Sequence, residues 1–220
     1  MKPSWRGLGE LVSSSKPRIR ELYEKATVPL GAKLAKLGLT PNQVTLSSIG
    51  VAAVASILIA VGRTGVGLLV YLVAVFLDVV DGSIARATGL ESPFGTLLDH
   101  YTDRCIEFML LLALTAGGYI PGWLGVLAVF SVFSPSYVRA RGEAELKKTA
   151  MGVGLFERKE KLTCIVAGML LYLLGLKAAL PAMILLASAG SIITAAQRIL
   201  YFRRVAEARQ PQHTSSLTGA

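Results

Sequence analysis

The sequence predicts an all-α integral membrane protein with six transmembrane helices, and two observations support this fold class. First, 53% of the 220 residues are hydrophobic and only 17% are charged, a balance too apolar for a soluble domain of this size. Second, long uncharged runs recur along the chain, and a helix needs about 20 mostly apolar residues to cross a bilayer. The runs cover residues 37–62, 64–77, 108–138, 162–176 and 178–197.

The run that begins at Phe108 must contain two helices. Gly117, Gly118, Pro121 and Gly122 interrupt it with residues that favour a turn over a helix. The other runs, extended to membrane-spanning length, give one helix each. The six predicted spans lie near residues 41–61, 67–87, 94–117, 122–141, 159–176 and 180–200.

These spans divide the chain into three regions. Residues 41–200 form the predicted six-helix domain, residues 1–40 a cytoplasmic or interfacial segment, and residues 201–220 a polar cytoplasmic tail. In the N-terminal segment, apolar residues alternate with lysines, which predicts an amphipathic juxtamembrane segment on the inner membrane surface. An ordinary linker is the alternative. The alternating residues are Leu22, Lys25, Val28, Leu30, Lys33, Leu34, Lys36 and Leu37.

The placement of Lys and Arg predicts that both termini are cytoplasmic, because basic residues are retained on that side of a membrane. With both termini inside, only Arg63 and Lys177 of the 23 basic residues face outward. The net charge of +9 then reflects topology and anionic lipid, and we expect no nucleic-acid partner. We expect a multi-pass protein of the cell membrane, surrounded by lipid.

Four aspartates lie where the second and third predicted spans approach the inner membrane surface. The uncharged run before Asp78 covers only residues 64–77, fewer than the about 20 needed to cross. Asp78 and Asp81 are three residues apart, and Asp99 and Asp103 are four apart, so each pair lies along one helix face. Carboxylates inside a membrane boundary usually face a bundle interior or a wet cavity.

These acids predict a binding site for a hard divalent cation. Like charges at this spacing repel each other, so the site requires protonation or a compensating cation. Oxygen ligands without clustered His or Cys favour Mg²⁺ or Mn²⁺ over zinc. The alternatives are solvated helix-end charges and ion pairs with Arg86 and Arg104. A small transporter or channel would distribute its acids through the membrane depth instead of at one edge.

The aspartates belong to a longer motif, Asp-x2-Asp-Gly-x2-Ala-Arg-x8-Gly-x3-Asp-x3-Asp. Its specified residues are Asp78, Asp81, Gly82, Ala85, Arg86, Gly95, Asp99 and Asp103. The motif resembles that of the CDP-alcohol phosphotransferase family at every specified position, and a pattern of this length is far more specific than a short glycine-rich loop. The resemblance implies a six-helix membrane enzyme, commonly a homodimer, which binds a CDP-linked lipid donor in a cavity open to the cytoplasm.

The resemblance also implies roles for the motif residues. All four aspartates would hold metal, and two divalent ions would bridge oxygens of the donor pyrophosphate. Asp78 would thereby also bind the donor, and Asp103 would be the general base that takes the proton of the attacking alcohol. Gly82 and Ala85 would leave room for the flat cytosine ring, and Arg86 would donate to a donor phosphate.

Two residues ahead of the motif are further expected donor contacts. Thr40 followed by Pro41 favours the start of the first span at this point. In the enzymes that the chain resembles, the segment that follows closes over the nucleotide. Asn42 and Thr45 are therefore expected to contact the ribose or the cytosine.

Three other segments resemble the inositol-phosphate-using branch of the family, the phosphatidylinositol phosphate and archaetidylinositol phosphate synthases. Residues 136–144 are similar to that branch's Ser-Tyr-x-Lys-Ala-Arg-Ala-Glu-Ala, and residues 154–162 to its Gly-Phe-x-Glu-Arg-Pro-Glu-Arg-Leu. Residues 197–198 match its closing Gln-Arg. The resemblance implies that the matching basic residues surround the phosphate of the acceptor alcohol. They are Arg139, Arg158 and Arg198.

This second resemblance favours inositol 1-phosphate as the acceptor, because three cations around a neutral alcohol would lack a partner. The positive-inside bias alone also places arginine at cytoplasmic helix ends. Departures from the branch at positions 42, 139, 159 and 161 leave glycerol 3-phosphate and serine as alternatives. We expect Mg²⁺- or Mn²⁺-dependent transfer of a lipid phosphoryl group from CDP-archaeol or CDP-diacylglycerol to inositol 1-phosphate, with release of CMP.

Overall fold

The computed structural model describes residues 27–209, and every helix or strand assigned in this range is an α-helix. Helix α1 covers residues 27–36. The six longer helices are α2 (Pro41–Ala60), α3 (Thr64–Thr88), α4 (Pro93–Ala116), α5 (Gly122–Leu146), α6 (Arg158–Leu173) and α7 (Ala179–Glu207). The all-α fold class is confirmed.

Local sequence determines where α2 and α4 begin and where α3 ends. Before α2, the Gln43 amide donates to Thr40 Oγ1 at 3.4 Å and the Thr40 amide donates to Gln43 Oε1 at 3.0 Å, a reciprocal capping box. Before α4, Ser92 Oγ accepts from the Gly95 amide at 3.0 Å. Gly89 follows α3 with a φ of +68°, the left-handed conformation that commonly ends a helix.

Each predicted span lies on one of the helices α2 to α7. Four of them, α2, α3, α5 and α7, are long and apolar enough to cross a membrane. Helix α6 has only 16 residues, and α4 carries Asp99, Asp103, Arg104 and Glu107. Several apolar helices thus indicate a multi-pass membrane protein, whereas six crossings and two cytoplasmic termini stay predictions.

Many large apolar side chains on these four long apolar helices are exposed. Ile57 is 63% exposed, Leu69 66%, Val126 73% and Phe130 66%. In water, contiguous apolar exposure on this scale would promote association or aggregation. In a bilayer, these side chains are solvated by lipid tails.

Two compact units divide the chain. The first contains residues up to Ala55 together with Leu69–Met109, and the second contains Ser56–Leu68 together with the chain from Leu110 onward. In the first unit, α1 packs through Leu34 and Ala35 on a cluster contributed by α2 and α3. The buried members of that cluster are Val44, Val80 and Ile84. The part of the predicted juxtamembrane segment that the structure describes is therefore a helix packed on the domain.

Small residues allow close packing in the second unit. A Cβ on Gly168 of α6 would lie 3.0 Å from the Met183 Cβ of α7. Gly190 of α7 lies directly under the Phe156 ring, where a Cβ would overlap it. Such close approach at small residues is typical of helices that associate in membranes. It brings α7 against α6 and against the segment that leads into α6.

Helix α7 extends beyond the predicted end of the last span at residue 200. It continues to Glu207, and Arg203 Nε donates to Glu207 Oε1 at 2.7 Å along its exposed side. Such a pair four residues apart stabilises a helix. The first part of the predicted polar tail is therefore helical. Residues 1–26 and 210–220 lie outside the described residues, so their assignments stay predictions.

Candidate active site

Helices α3 and α4 bring three of the predicted aspartates together. One carboxylate oxygen from each of Asp78, Asp99 and Asp103 lies within 4.8 Å of the others. Asp78 and Asp99 are half-buried, and Asp103 is only 5% exposed. Three carboxylates at this distance repel each other strongly unless a cation or protons compensate them. Clustered carboxylate oxygens are the ligands that hard divalent cations prefer, so the donor set fits such an ion.

The fourth aspartate, Asp81, lies outside that group of three and has a different partner. The Thr45 hydroxyl donates to Asp81 Oδ2 and also lies 3.0 Å from the Pro41 carbonyl oxygen. Both side chains are buried, at 4% exposure each. The Thr45 hydroxyl thus contacts the motif at Asp81, and the expected contact of Thr45 with the nucleotide stays a prediction.

The guanidinium of Arg86 lies over Gly82 on α3. A Cβ on Gly82 would be 3.3 Å from Arg86 Nη1, and Arg86 Nη2 donates to Ser83 Oγ at 3.3 Å. Gly82 therefore gives the guanidinium room to lie close to the helix. Ala85, the other small motif residue, is half-buried on the same helix.

The starts of α2 and α4 approach each other at Asn42 and Gly95. Asn42 is exposed, and its Oδ1 atom would lie 3.5 Å from a Cβ on Gly95. Ser92 Oγ, which caps α4, would lie 3.1 Å from the same Cβ. Glycine at this motif position thus leaves room for the Ser92 hydroxyl that caps α4.

Arg104 separates Asp103 from a second buried acid. Its Nη1 atom lies 2.7 Å from Glu107 Oε2, and its Nη2 atom lies 3.8 Å from Asp103 Oδ2. Glu107 is therefore the closer partner of the guanidinium, and Asp103 receives only part of its charge. His100 lies on the exposed side of α4, with Nδ1 3.8 Å from Asp99 Oδ2.

The second unit contains the three arginines predicted to bind the acceptor. Arg198 on α7 is 6% exposed, and it donates from Nε to the Val153 carbonyl at 2.9 Å and from Nη1 to the Pro135 carbonyl at 2.7 Å. Arg139 on α5 donates from Nε to Glu143 Oε1 at 3.0 Å. Arg158 is half-buried at the start of α6.

The segment between α5 and α6 is tied to both α5 and α7. Glu143 Oε1, the partner of Arg139, also accepts from the Ala150 amide at 2.9 Å. Gln197 Oε1 accepts from the Leu155 amide at 3.1 Å, and Thr194 Oγ1 accepts from the Phe156 amide at 2.9 Å. These bonds connect the segments that carry Arg139, Arg158 and Arg198.

Lys161 is a buried cation to which the sequence interpretation gave no role. It is 4% exposed, and its Nζ atom donates to the Val132 carbonyl of α5 at 3.3 Å. Lys161 and Arg198 thus each donate to a carbonyl within one turn of Pro135, where the proline removes a helical hydrogen bond. Lys161 lies three residues after Arg158 on the same helix face, and this spacing could have indicated a buried cation beside Arg158.

Comparison with known proteins places this site in a family. The model of the CDP-alcohol phosphatidyltransferase family matches residues 38–199. An archaetidylinositol phosphate synthase from Aeropyrum pernix is 35% identical over 190 residues, covering 84% of this chain and 94% of the relative. A phosphatidylinositol phosphate synthase from Streptomyces avermitilis is 31% identical over 198 residues, covering 84% of this chain and 81% of the relative.

Solved structures of the Mycobacterium tuberculosis phosphatidylinositol phosphate synthase are also similar to this chain. The complex with CDP-DAG superposes with a TM-score of 0.70 at 25% identity, covering 81% of this chain and 94% of that one. The complex with manganese and citrate gives a TM-score of 0.73 at 26% identity, covering 80% and 88%. The acidic cluster, the membrane fold and these matches agree, and the chain belongs to the CDP-alcohol phosphatidyltransferase family.

Proposed function

We propose that this enzyme transfers the lipid-linked phosphoryl group of a CDP-lipid to inositol 1-phosphate and releases CMP. The observation that carries the proposal is the cluster of Asp78, Asp99 and Asp103, in a chain whose relatives are named archaetidylinositol phosphate synthase and phosphatidylinositol phosphate synthase. The lipid is archaeol or diacylglycerol. The protein lies in the cell membrane with six crossings, its active site and both termini face the cytoplasm, and it acts as a homodimer.

Mg²⁺ is the proposed physiological ion, with Mn²⁺ as a substitute, and two ions are expected. Asp78, Asp81, Asp99 and Asp103 would hold them. When bound, the ions supply positive charge that stabilises the developing negative charge on the donor pyrophosphate. The manganese in a solved relative supports a divalent ion of this kind.

Donor binding is assigned to residues of the first unit. Arg86 would donate to a donor phosphate, because a guanidinium offers planar paired donors. Gly82 and Ala85 would leave the α3 surface low enough for the cytosine ring once the Arg86 guanidinium, which lies over Gly82, turns toward the donor phosphate. Asn42, exposed at the start of α2, would contact the ribose or the cytosine.

Thr45 would act chiefly through Asp81. Thr45→Val removes the hydroxyl that bonds Asp81, and loss of such a partner of a metal ligand typically weakens metal binding about 10–100-fold. We expect that loss in Mn²⁺ affinity, measured by electron paramagnetic resonance, and near-normal affinity in Thr45→Ser. Ser47→Ala is the control, because the Ser47 hydroxyl only donates to the Val44 carbonyl at 2.8 Å. Unchanged Mn²⁺ affinity in Thr45→Val would contradict a role through Asp81 and would leave the nucleotide contact as the prediction for Thr45.

Asp103 is the proposed general base. Its carboxylate takes the proton of the inositol hydroxyl as that oxygen forms a bond to the lipid-side phosphorus. The bond between this phosphorus and the bridging oxygen breaks, and CMP leaves with the electron pair. The closer pairing of Arg104 with Glu107 supports this role, because it leaves the Asp103 carboxylate less neutralised by Arg104.

The acceptor phosphate is assigned to Arg139, Arg158 and Arg198. Support comes from the hydrogen bonds that connect their three segments. Arg198 uses two of the five N–H donors of its guanidinium to bind backbone carbonyls. Its removal would therefore also disturb the α5 backbone, and Arg158 gives the cleaner test.

Arg158→Ala should raise the KM for inositol 1-phosphate about tenfold or more, because a charge-assisted contact is worth about 1.5–3 kcal/mol. The KM for the CDP-lipid should hardly change. Arg141→Ala is the matched control, since Arg141 is 61% exposed and pairs with Glu145 on the surface of α5. The measurement is steady-state transfer by wild type and both variants to inositol 1-phosphate, glycerol 3-phosphate, serine and inositol.

The same comparison tests the acceptor. Wild type should prefer inositol 1-phosphate, and neutral acceptors should be poor because they leave the cations without a partner. If serine or inositol is the best acceptor and Arg158→Ala is unaffected, the three arginines serve only membrane topology, as the positive-inside bias predicts, and the proposal fails. If glycerol 3-phosphate is best, the phosphate site stands and the alcohol was misassigned.

A further inference from the structure

Helix α1 meets α3 backbone to backbone at Gly31. A Cβ on Gly31 would overlap the Ser83 carbonyl and lie 2.7 Å from the Ile84 amide nitrogen. Gly31 is buried, and Leu34 and Ala35 lie on the same side of α1, three and four residues further on. These two pack on the apolar cluster shared by α2 and α3. Only a glycine permits this approach, because the obstacle is main chain and cannot rotate away.

The contact lies on the side of α3 away from the aspartates. At 3.6 residues per turn, Val80 and Ser83 face roughly opposite to Asp78 and Asp81. Helix α1 therefore supports α3 from behind, while the front of α3 presents its carboxylates. One of these, from Asp78, reaches the carboxylates of α4.

Metal sites tolerate little displacement between their ligands. Mg²⁺ binds oxygen at about 2.0–2.1 Å and requires near-ideal octahedral geometry. A misplacement of about 1 Å at a reacting site can cost about 10²-fold in rate. The distance between α3 and α4 must therefore be held within narrow limits. Helix α1 packs against α3 at Ser83, on the side away from the aspartates.

We infer that α1 is a positioning element for the aspartate motif and that Gly31 is the residue through which it acts. The inference rests on the proposed function, because it assigns Gly31 to the metal and donor site of that reaction. A side chain at position 31 forces α1 and α3 apart. Asp78 and Asp81 then shift relative to Asp99 and Asp103, although Gly31 touches none of them.

The test compares Gly31→Ala and Gly31→Val with Gly50→Ala. Gly50 lies in α2 of the same unit, and a Cβ there meets nothing within 4 Å. Both alanine variants raise helix propensity equally. They therefore differ only in the steric overlap that a side chain at position 31 creates. Mn²⁺ affinity of the folded, purified protein is measured by electron paramagnetic resonance, together with the KM for the CDP-lipid.

Gly31→Ala should weaken Mn²⁺ binding about tenfold or more, the scale seen when support of a metal ligand is lost, and Gly31→Val should weaken it further. Gly50→Ala should match wild type. A merely structural contact would lower the thermal midpoint while leaving the Mn²⁺ affinity of folded protein unchanged, and that result overturns the inference.

A second variant keeps the test decisive if Gly31→Ala does not fold. Leu34→Ala weakens the packing of α1 without forcing an overlap, and it should lower Mn²⁺ affinity in the same direction. Unchanged affinity there overturns the inference. The outcome is separable from the proposed function: weakened Mn²⁺ binding in an enzyme that does not use inositol 1-phosphate supports the inference alone.

Discussion

Replacement of Asp99 by Asn is expected to abolish turnover of the CDP-lipid, and Asp78→Asn and Asp81→Asn are expected to do the same. Asp78 and Asp99 contribute oxygens to a cluster within 4.8 Å, and Asp81 is buried one turn along α3. A neutral amide at any of these positions removes one negative charge from the metal site. The measurement is CMP release by each purified variant at saturating Mg²⁺.

Glu145→Gln is the matched control for these variants. It makes the same acid-to-amide change on a side chain that is 64% exposed and pairs with Arg141 at 2.7 Å, so wild-type turnover is expected. A companion experiment removes the metal from the wild-type enzyme. Full activity after exhaustive chelation, with metal analysis confirming removal, would contradict the metal assignment altogether.

Asp103→Asn should lower the transfer rate by at least about 10²-fold, the usual contribution of a general base. Affinity for the CDP-lipid should remain substantial, because Asp78, Asp81 and Asp99 are proposed to hold the metal and are unchanged in this variant. The amide is nearly isosteric with the carboxylate but cannot accept the proton of the alcohol. Binding and rate must be measured on the same preparation, so that a folding defect is not read as a chemical one.

The comparison of Asp103→Asn with Asp99→Asn separates the two roles. If donor affinity and transfer rate fall together in Asp103→Asn, as they should in Asp99→Asn, then Asp103 is mainly a metal ligand. The proton would then have another acceptor. If only the rate falls, the assignment of Asp103 as base stands.

Much of the fold could be predicted because it depends on short-range patterns. The spans follow from uncharged runs and from glycine and proline between them. The grouping of Asp78, Asp99 and Asp103 was predicted from the helical spacing within each pair and from the expectation that both pairs lie near the inner membrane surface. The start of α2 was visible in Thr40 and Pro41, although the reciprocal partner Gln43 was not recognised.

The contacts that were missed join residues far apart in the chain. The bond from Thr45 to Asp81 spans 36 positions, and neither residue type distinguishes a nucleotide contact from a partner of a metal ligand. Arg198 bonds carbonyls 45 and 63 positions away, and carbonyl acceptors carry no sequence signature. The backbone contact at Gly31 could not be predicted from the sequence either, because a glycine occurs in a helix for many different reasons.

The end of α7 was also difficult to predict. The end of α7 depends on Arg203 and Glu207 outside the apolar run, so hydrophobicity alone stops too early. The burial of Lys161 in α6 was also not predicted, because the charge of a lysine favours exposure. A buried lysine requires a partner such as the Val132 carbonyl, and only packing reveals that.

The most direct test of the proposed chemistry follows one phosphorus atom. CDP-lipid labelled with ³²P at the lipid-side phosphate is incubated with purified enzyme, inositol 1-phosphate and Mg²⁺, and the products are separated. The proposed reaction predicts that all transferred label enters a lipid that also carries the inositol phosphate, in equal amount to unlabelled CMP. Label in the released nucleotide, or equal transfer after complete removal of divalent metal, would contradict it.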